Sequence, residues 1–138
     1  MNKFIHRALD ANFNRAREGL RVCEEFVRFF LNDKKLTEDF KKVRGRISRA
    51  YNNLPEYKKL LFSARDTAKD IGKKAFSIEM KRAKLSDVFW ANIQRSKEAL
   101  RVLEEFSKLE KKELSNKFRA LRFKVYELEK KAFRKLKR

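Results

Sequence analysis

The chain contains very little glycine, proline or cysteine. Its 138 residues include three glycines, one proline and one cysteine. Because glycine and proline supply most tight turns, their scarcity disfavours turn-rich sheet folds, and the abundance of Lys, Glu, Arg, Leu and Ala favours long helices. A single cysteine excludes an internal disulfide and agrees with a reducing compartment.

Long apolar runs are missing as well. No stretch is long enough to span a membrane, and the start, MNKFIHRALDANFNR, lacks the apolar segment of a secretory signal. We therefore expect a cytoplasmic protein without a membrane partner. The sequence also has no glycine-rich phosphate loop and no zinc-ligand spacing, so any phosphate binding must use Arg, Lys and helix N-termini.

Positive charge, in contrast, is abundant. The chain has 38 Lys and Arg against 19 Asp and Glu, a formal net charge of +19. Such an excess indicates an anionic partner, and nucleic acid, an anionic membrane surface and phosphorylated small molecules all fit it. Composition does not choose among them.

An internal repeat is the strongest pattern in the sequence. Residues 10–29, DANFNRAREGLRVCEEFVRF, return as residues 90–109, WANIQRSKEALRVLEEFSKL, at an offset of 80 with ten of twenty positions identical. Six of the ten matches are polar or charged, so the repeat preserves more than an apolar core. A second apolar stripe, residues 36–54, returns at an offset of 78.

The repeated unit is therefore a whole helical hairpin. Apolar residues at steps of three and four predict helices in both hairpins, over residues 5–54 and 86–137. Two such hairpins predict an all-α four-helix bundle with approximate two-fold symmetry. The connecting segment, residues 55–85, has no copy and is far longer than an ordinary loop. It is either a functional loop or lid, or a disordered stretch, and its apolar residues favour order.

A duplicated set of polar residues lies on the first and third helices of the predicted bundle. Asn12 lies within the apolar arc of the first helix and Arg15 near its edge, and Asn92 and Arg95 occupy the same angles in the third. Burying such groups without partners costs several kcal/mol. We therefore predict an inward-facing polar pocket for phosphate. The alternative is a structural network that fixes helix register.

Two glutamates complete this predicted set. Glu18 and Glu98 lie one turn beyond the arginines and are expected to orient them through pairs three residues apart. Another four glutamates are expected to be exposed and paired with neighbouring basic residues. These four are Glu24, Glu25, Glu104 and Glu105, with Arg21, Arg28, Arg101 and Lys108 as partners.

The unduplicated segment offers carboxylates. Asp66 and Asp70 are four residues apart, so on a helical turn they would face the same way and could hold Mg²⁺. Arg65 precedes them directly. The alternative is a solvated turn with a cap.

At these motifs the sequence resembles a known family. The run RALDANFNRAREGLRVCEEFVRF resembles the motif LDAN-NRAREGLRV-ED-RF, and ARDT, Asp70, Gly72 and AN--R--EALRVLEEF-K follow in the family's order. These motifs belong to a small domain that occurs alone or fused ahead of thiamine-phosphate synthase. The resemblance covers about residues 5 to 110. It implies a hydroxymethylpyrimidine-phosphate kinase, which transfers the terminal phosphoryl group of ATP to form the diphosphate used in thiamine synthesis.

That resemblance gives the candidate residues specific roles. A phosphorylated pyrimidine and a nucleotide as partners, with ATP and Mg²⁺ as cofactors, suit a strongly basic chain. We expect Arg15, Arg95 and Arg65 to bind phosphates. Asp66, catalytic together with Arg65, would hold Mg²⁺ with Asp70, and Asn12 and Asn92 would bind the pyrimidine edge or a phosphate.

Other functions remain as alternatives. The thiamine-phosphate synthase to which that small domain is fused is itself a (β/α)₈ barrel, which needs about 200 or more residues. This chain has neither that length nor strand patterns, so a synthase name would come from a fusion partner. The alternatives are a synthase-associated helical domain without its own catalysis, a basic helical nucleic-acid-binding module, and a scaffold that acts through a homodimer.

Overall fold

Four helices form the part of the chain that the structure, a computed structural model, describes: residues 3–52 and 84–136. They are α1 (Lys3–Glu25), which continues into a π-helical turn (Phe26–Phe30), α2 (Lys34–Asn52), α3 (Leu85–Ser107) and α4 (Lys112–Leu136). The predicted all-α four-helix bundle is confirmed. No helix in these two ranges is long and apolar enough to cross a membrane.

Each hairpin consists of two helices joined by a short turn. We call α1, the π-turn and α2 hairpin one, and α3 with α4 hairpin two. The outer helices α2 and α4 bury the narrow stripes that their spacing predicts. The buried positions are Leu36, Phe40, Val43, Ile47 and Ala50 in α2, and Leu114, Phe118, Leu121, Val125, Leu128 and Ala132 in α4. The predicted connector, residues 55–85, lies outside the described residues except for its last two.

The inner helices α1 and α3 pack antiparallel to each other. Cys23 Sγ at one end lies 3.7 Å from the Phe89 carbonyl oxygen, and the Phe4 and Phe106 rings meet at the other end, 5.6 Å apart. Near the middle, Ser96 Oγ donates to the Ala16 carbonyl oxygen at 3.1 Å. Because Ala16 and Ser96 are equivalent positions of the repeat, the approximate two-fold axis passes between them.

Gly19 allows the close crossing of α1 and α3. A Cβ added there would lie 2.8 Å from the Asn92 carbonyl oxygen and would overlap Ser96 Oγ. The equivalent position in α3 is Ala99, which is buried. The Gly19 and Ser96 pair on one side of the axis thus corresponds to Ala99 and Ala16 on the other, and the Ser96 hydroxyl occupies the space that a Cβ at position 19 would need.

The turn of hairpin one changes which aromatic residues are buried. Within the π-turn the Leu31 amide donates to the Phe26 carbonyl oxygen, five residues back, at 3.3 Å. This extra residue rotates the end of the helix, so Phe30 is 53% exposed. The sequence spacing predicts Phe30 on the same buried face as Cys23 and Val27, and this prediction is wrong because it assumes a uniform α-helix. Asn32 then adopts φ 52°, and Asp33 caps the start of α2 by accepting a hydrogen bond from the Leu36 amide.

Candidate functional site

The duplicated asparagines bond to their own helices. The Asn12 side-chain amide donates to the Ala8 carbonyl oxygen at 2.8 Å, and the Asn92 amide donates to the Val88 carbonyl oxygen at 2.7 Å. Asn12 is buried and Asn92 is half-buried. The two amides therefore repeat the same local bond, which satisfies one donor of each inside the bundle.

The arginines of the predicted pocket point the other way. Arg15 and Arg95 are both exposed, so the prediction that they face inward with the asparagines is wrong. Their place at the edge of the apolar arc puts them beyond the cover of the neighbouring helices. Glu18 and Glu98 are exposed too, and Glu98 accepts a hydrogen bond from Gln94 at 3.1 Å. A role of these residues in phosphate binding stays a prediction.

The predicted metal site is not part of the described chain. Arg65, Asp66 and Asp70 all lie between residues 53 and 83, outside the described residues. Within 3–52 and 84–136, no group of three or more His, Cys, Asp or Glu side chains could hold a metal ion. The described helices therefore do not provide a site that fits Mg²⁺, and the assignment to Asp66 and Asp70 stays a prediction.

A buried glutamate joins the two helices of hairpin one. Glu24 is 3% exposed and accepts a hydrogen bond from Arg44 Nε of α2 at 3.0 Å. Its other carboxylate oxygen lies 3.3 Å from Arg21 Nη1. The prediction that Glu24 is exposed is therefore wrong. Arg28, a predicted partner of these glutamates, instead lies over the Phe29 ring.

Hairpin two reproduces this network. Glu104 is 4% exposed, accepts from Arg122 Nε at 3.0 Å, and lies 3.4 Å from Arg101 Nη1. Burial opposes the charge of Arg122, but hydrogen bonds to Tyr126 and Glu104 outweigh it and raise the pKa of the guanidinium. Glu104 too was expected to be exposed. Glu25 and Glu105, at the helix surface, pair with Arg21 and Arg101 as predicted.

A cationic groove lies beside the network of hairpin one. It has a volume of about 370 Å³. Its lining residues are Asn14, Arg17, Glu18, Arg21 and Arg44, which place three guanidinium groups against one carboxylate. Solvent does not reach Arg17 Nε, and this atom has no hydrogen-bond partner within the described residues. The groove therefore offers concentrated positive charge, which suits a phosphate or another oxyanion.

An apolar groove lies on the other side of Arg21. Its volume is about 490 Å³. It is lined by Arg21, Val22, Glu25, Phe26, Phe29, Phe30, Leu85 and Val88. Arg21 thus lines both grooves, so a cationic surface and an aromatic, apolar surface adjoin at one end of the bundle.

The same positions of hairpin two are closed by side chains of the chain itself. Lys97, the counterpart of Arg17, forms an ion pair with Glu129 at 2.8 Å and lies 5.2 Å from the centre of the Tyr126 ring. The Tyr126 hydroxyl also accepts a hydrogen bond from Arg122 Nη1 at 3.3 Å. The two halves therefore share the Glu–Arg network and differ in what covers it.

A comparison with protein-family models matches residues 7–131 of the chain to the ThiD2 family. The chain belongs to the ThiD2 family. The duplicated motifs, both Glu–Arg networks and the cationic groove all fall inside the matched range. No solved structure matches the chain.

This ThiD2 member is also similar to curated proteins named thiamine-phosphate synthase. The protein from Nostoc punctiforme is 41% identical over 94% of this chain, that from Synechocystis sp. 41% over 91%, and that from Thermosynechococcus vestitus 43% over 91%. The same alignments cover 35%, 35% and 34% of the three relatives. The chain thus spans about a third of the length of the curated relatives it matches.

Sequence reasoning missed Arg17 as a candidate. Arg17 is not one of the residues that are identical in the two halves, because its counterpart is Lys97. The signal was present in the differences instead: Ser48 and Tyr51 of α2 correspond to Tyr126 and Glu129 of α4 at the offset of 78. Reading substitutions between the halves, as well as identities, points to this groove.

Proposed function

We propose that the chain acts in thiamine biosynthesis, where it phosphorylates hydroxymethylpyrimidine phosphate to the diphosphate with ATP and Mg²⁺. The observation that carries the proposal is the match of nearly the whole chain to one third of proteins named thiamine-phosphate synthase. The described residues, 3–52 and 84–136, form helices only, whereas a (β/α)₈ barrel alternates strands with helices. The contribution of these residues to the pathway would therefore be a step other than that of the barrel.

The two adjoining grooves support a phosphorylated heterocycle as the substrate. Such a molecule has a flat ring that prefers aromatic and apolar contacts, and a phosphate that prefers guanidinium groups. Arg21 lines both the apolar and the cationic groove, so the proposal places the ring in the first and the phosphate in the second.

Phosphoryl transfer requires positioning and positive charge more than covalent chemistry. The arginines of the described helices suit the charge on substrate phosphates. Within the same proposal, Arg65, Asp66 and Asp70 of the undescribed segment are the groups to hold ATP phosphates and Mg²⁺. Asp66 and Asp70 supply the oxygen ligands that Mg²⁺ requires.

A direct assay tests the activity. The purified chain is incubated with hydroxymethylpyrimidine phosphate, ATP and Mg²⁺, and ADP and the pyrimidine diphosphate are measured. We expect turnover in the wild type and its loss in Asp66→Asn, with the helical circular dichroism of both proteins unchanged. Asp33→Asn, on a described helix cap outside both grooves, serves as the control variant and should keep full turnover. A folded wild-type protein without turnover overturns the kinase proposal.

The names of the relatives favour a second candidate, a helical domain that assists a thiamine-phosphate synthase without its own catalysis. It predicts that the chain raises the turnover of a separate synthase barrel when mixed with it, while no ADP forms from ATP. The two candidates are distinguished in one experiment, because ADP release and thiamine phosphate formation are measured separately.

A further inference from the structure

The two hairpins place equivalent side chains around equivalent networks. Arg17, Arg21 and Arg44 of hairpin one correspond to Lys97, Arg101 and Arg122 of hairpin two. In both halves a buried glutamate holds the second and third of these cations by the same atoms, Nη1 and Nε. Differences between the halves therefore concern the first cation and what surrounds it.

In hairpin two the first cation is neutralised. Glu129 lies 2.8 Å from Lys97 Nζ, with the two side chains only 26% and 14% exposed. Tyr126 lies against both Lys97 and Arg122, through its ring and its hydroxyl respectively. A charge that is paired and covered in this way has little remaining capacity for an external anion.

In hairpin one the corresponding residues are engaged elsewhere. Tyr51, at the position of Glu129, donates its hydroxyl to Asp10 at 3.4 Å and packs against Phe13. Ser48, at the position of Tyr126, donates to the Arg44 carbonyl oxygen of its own helix at 3.2 Å. Neither replaces the acid or the aromatic cover that hairpin two provides.

The charge of Arg17 is consequently left in an exposed groove with one end of the guanidinium out of contact with water. Arg17 Nε is buried without a partner among the described residues, so it leaves the outer Nη nitrogens of the guanidinium as the groups that an oxyanion in the groove would contact. Glu24 engages Arg44 through Nε, so the outer nitrogens of Arg44 are not needed to hold the network together. Arg21 is already paired with Glu24 and Glu25, so Arg17 and Arg44 are the two guanidinium groups that line the groove for a small ligand, and such groups suit the tetrahedral oxygens of phosphate.

We propose that the groove between α1 and α2 is a phosphate-binding site with Arg17 at its centre, and that divergence of Lys97, Tyr126 and Glu129 has closed its counterpart in hairpin two. The ligand is inorganic phosphate, pyrophosphate or a phosphate monoester. Identification of that monoester as the pyrimidine substrate rests on the proposed function, whereas binding of phosphate itself does not.

Calorimetric titration of the full chain with inorganic phosphate and with pyrophosphate, at fixed ionic strength set with chloride, tests this site. Arg17→Met is the test variant and Lys97→Met its matched control at the equivalent position. We expect one phosphate per chain in the wild type, an affinity lower by about tenfold or more in Arg17→Met, and no change in Lys97→Met. Equal weakening in both variants overturns the proposal, because it indicates diffuse attraction to a +19 chain, and so does unchanged binding in both.

Further variants keep the test independent of folding. Arg17→Lys preserves the charge but lacks Nε–H and the planar fork, so we expect an intermediate loss of affinity with an unchanged melting temperature. The double substitution Tyr126→Ser with Glu129→Tyr gives hairpin two the residues of hairpin one and should raise the stoichiometry from one phosphate to two. A folded double variant that still binds one phosphate overturns the inference that these side chains close the second groove.

The outcome for this site is distinguishable from that for the kinase. Phosphate bound as expected, with no turnover of hydroxymethylpyrimidine phosphate, overturns the proposed function and leaves the site in place. Turnover in Arg17→Met with an unchanged KM for the phosphorylated pyrimidine leaves the proposed function in place and overturns this groove as the site of that substrate.

Discussion

Hairpins one and two contain equivalent buried ion pairs but differ in the surroundings of a neighbouring cation. Glu24 with Arg44 and Glu104 with Arg122 form ion pairs of the same 3.0 Å length through the same atoms. Around these ion pairs, hairpin two pairs Lys97 with Glu129, while Arg17 of hairpin one lines an open cationic groove. The buried pairs of glutamate and arginine are the same in both copies. The side chains around them, which are not part of the core, differ between the copies.

The crossing of α1 and α3 differs between the two halves at Gly19 and its counterpart Ala99, and we expect the largest effect there. Gly19→Ala should lower the free energy of unfolding by about 3 kcal/mol, because its Cβ meets Ser96 and the Asn92 carbonyl oxygen. Urea denaturation measures the change. Adding Ser96→Ala, which makes this side resemble the Ala16 and Ala99 side, should recover part of the loss.

Gly45→Ala is the control for that substitution. Gly45 lies in α2, and the nearest atom to an added Cβ is the flexible Arg49 side chain at 3.5 Å. Alanine is the better helix former, so this variant should be more stable by about 0.5–1 kcal/mol. A neutral Gly19→Ala would contradict the close crossing itself.

The buried glutamates test whether the two networks are equally strong. Glu24→Gln and Glu104→Gln should each lower the free energy of unfolding by about 2 kcal/mol, because each leaves a partly buried arginine without its carboxylate. We expect the greater loss for Glu24→Gln, since Arg122 retains the Tyr126 hydroxyl as a second acceptor. Denaturation of both variants at low and high salt provides the comparison. Equal losses would mean that Tyr126 contributes nothing to the stability of hairpin two.

The first cations of the two halves should respond in opposite directions. In phosphate-free buffer Arg17→Met should leave stability unchanged or raise it by up to about 1 kcal/mol, because it removes a guanidinium whose buried Nε has no partner among the described residues. Lys97→Met should lower stability by about 1 kcal/mol, because Glu129 loses its partner. Phosphate added to the buffer should raise the melting temperature of the wild type and of Lys97→Met but not of Arg17→Met.

The cap of α2 gives an expected effect no larger than those of the first cations. Asp33 accepts a hydrogen bond from the Leu36 amide at 2.8 Å, and that bond, with further help from Lys135, lowers the pKa of its carboxyl below the ordinary value. The ionised form is thus favoured by folding, so its stabilisation is present above the ordinary pKa and is lost as pH falls through the lowered one. Asp33→Ala should cost about 1 kcal/mol at neutral pH.

Measuring that difference by denaturation at neutral pH and again in strong acid checks the sign. The difference between wild type and Asp33→Ala should shrink in acid. Asp33→Asn, which can cap without titrating, should show a smaller and flatter difference from the wild type. A difference that grows in acid would contradict the lowered pKa.

Most of the fold could be predicted from the sequence because apolar spacing fixes which face of a helix is buried. The stripes from Leu36 to Ala50 and from Leu114 to Ala132 are buried as their periods of three and four residues predict. Phe30 is the exception, since the π-turn adds a residue to the last turn of α1 and rotates the side chain outward. Hydrogen bonding in that one turn is not encoded in the hydrophobic period.

The candidate site was much less predictable. The repeat contains Glu24 and Glu104, but the prediction that they are exposed is wrong, because the angle of a residue on a single helix does not say whether a second helix covers it. Glu24 is covered by Arg44 of α2, whereas Arg15, also at the edge of the apolar arc, is exposed. The sequence did not indicate Arg17 as a binding residue, because its surroundings are set by residues of α2 that are distant in sequence.

The sequence by itself determined that this protein is two copies of one helical hairpin, with a buried stripe on each outer helix and a large positive charge. It could do so because helix periodicity and duplication are local properties of the chain. Only the tertiary structure decided which charges on different helices are paired. Whether a cation meets a carboxylate, a tyrosine or an open groove depends on the helix packed against it, and that distinguishes Arg17 from Lys97.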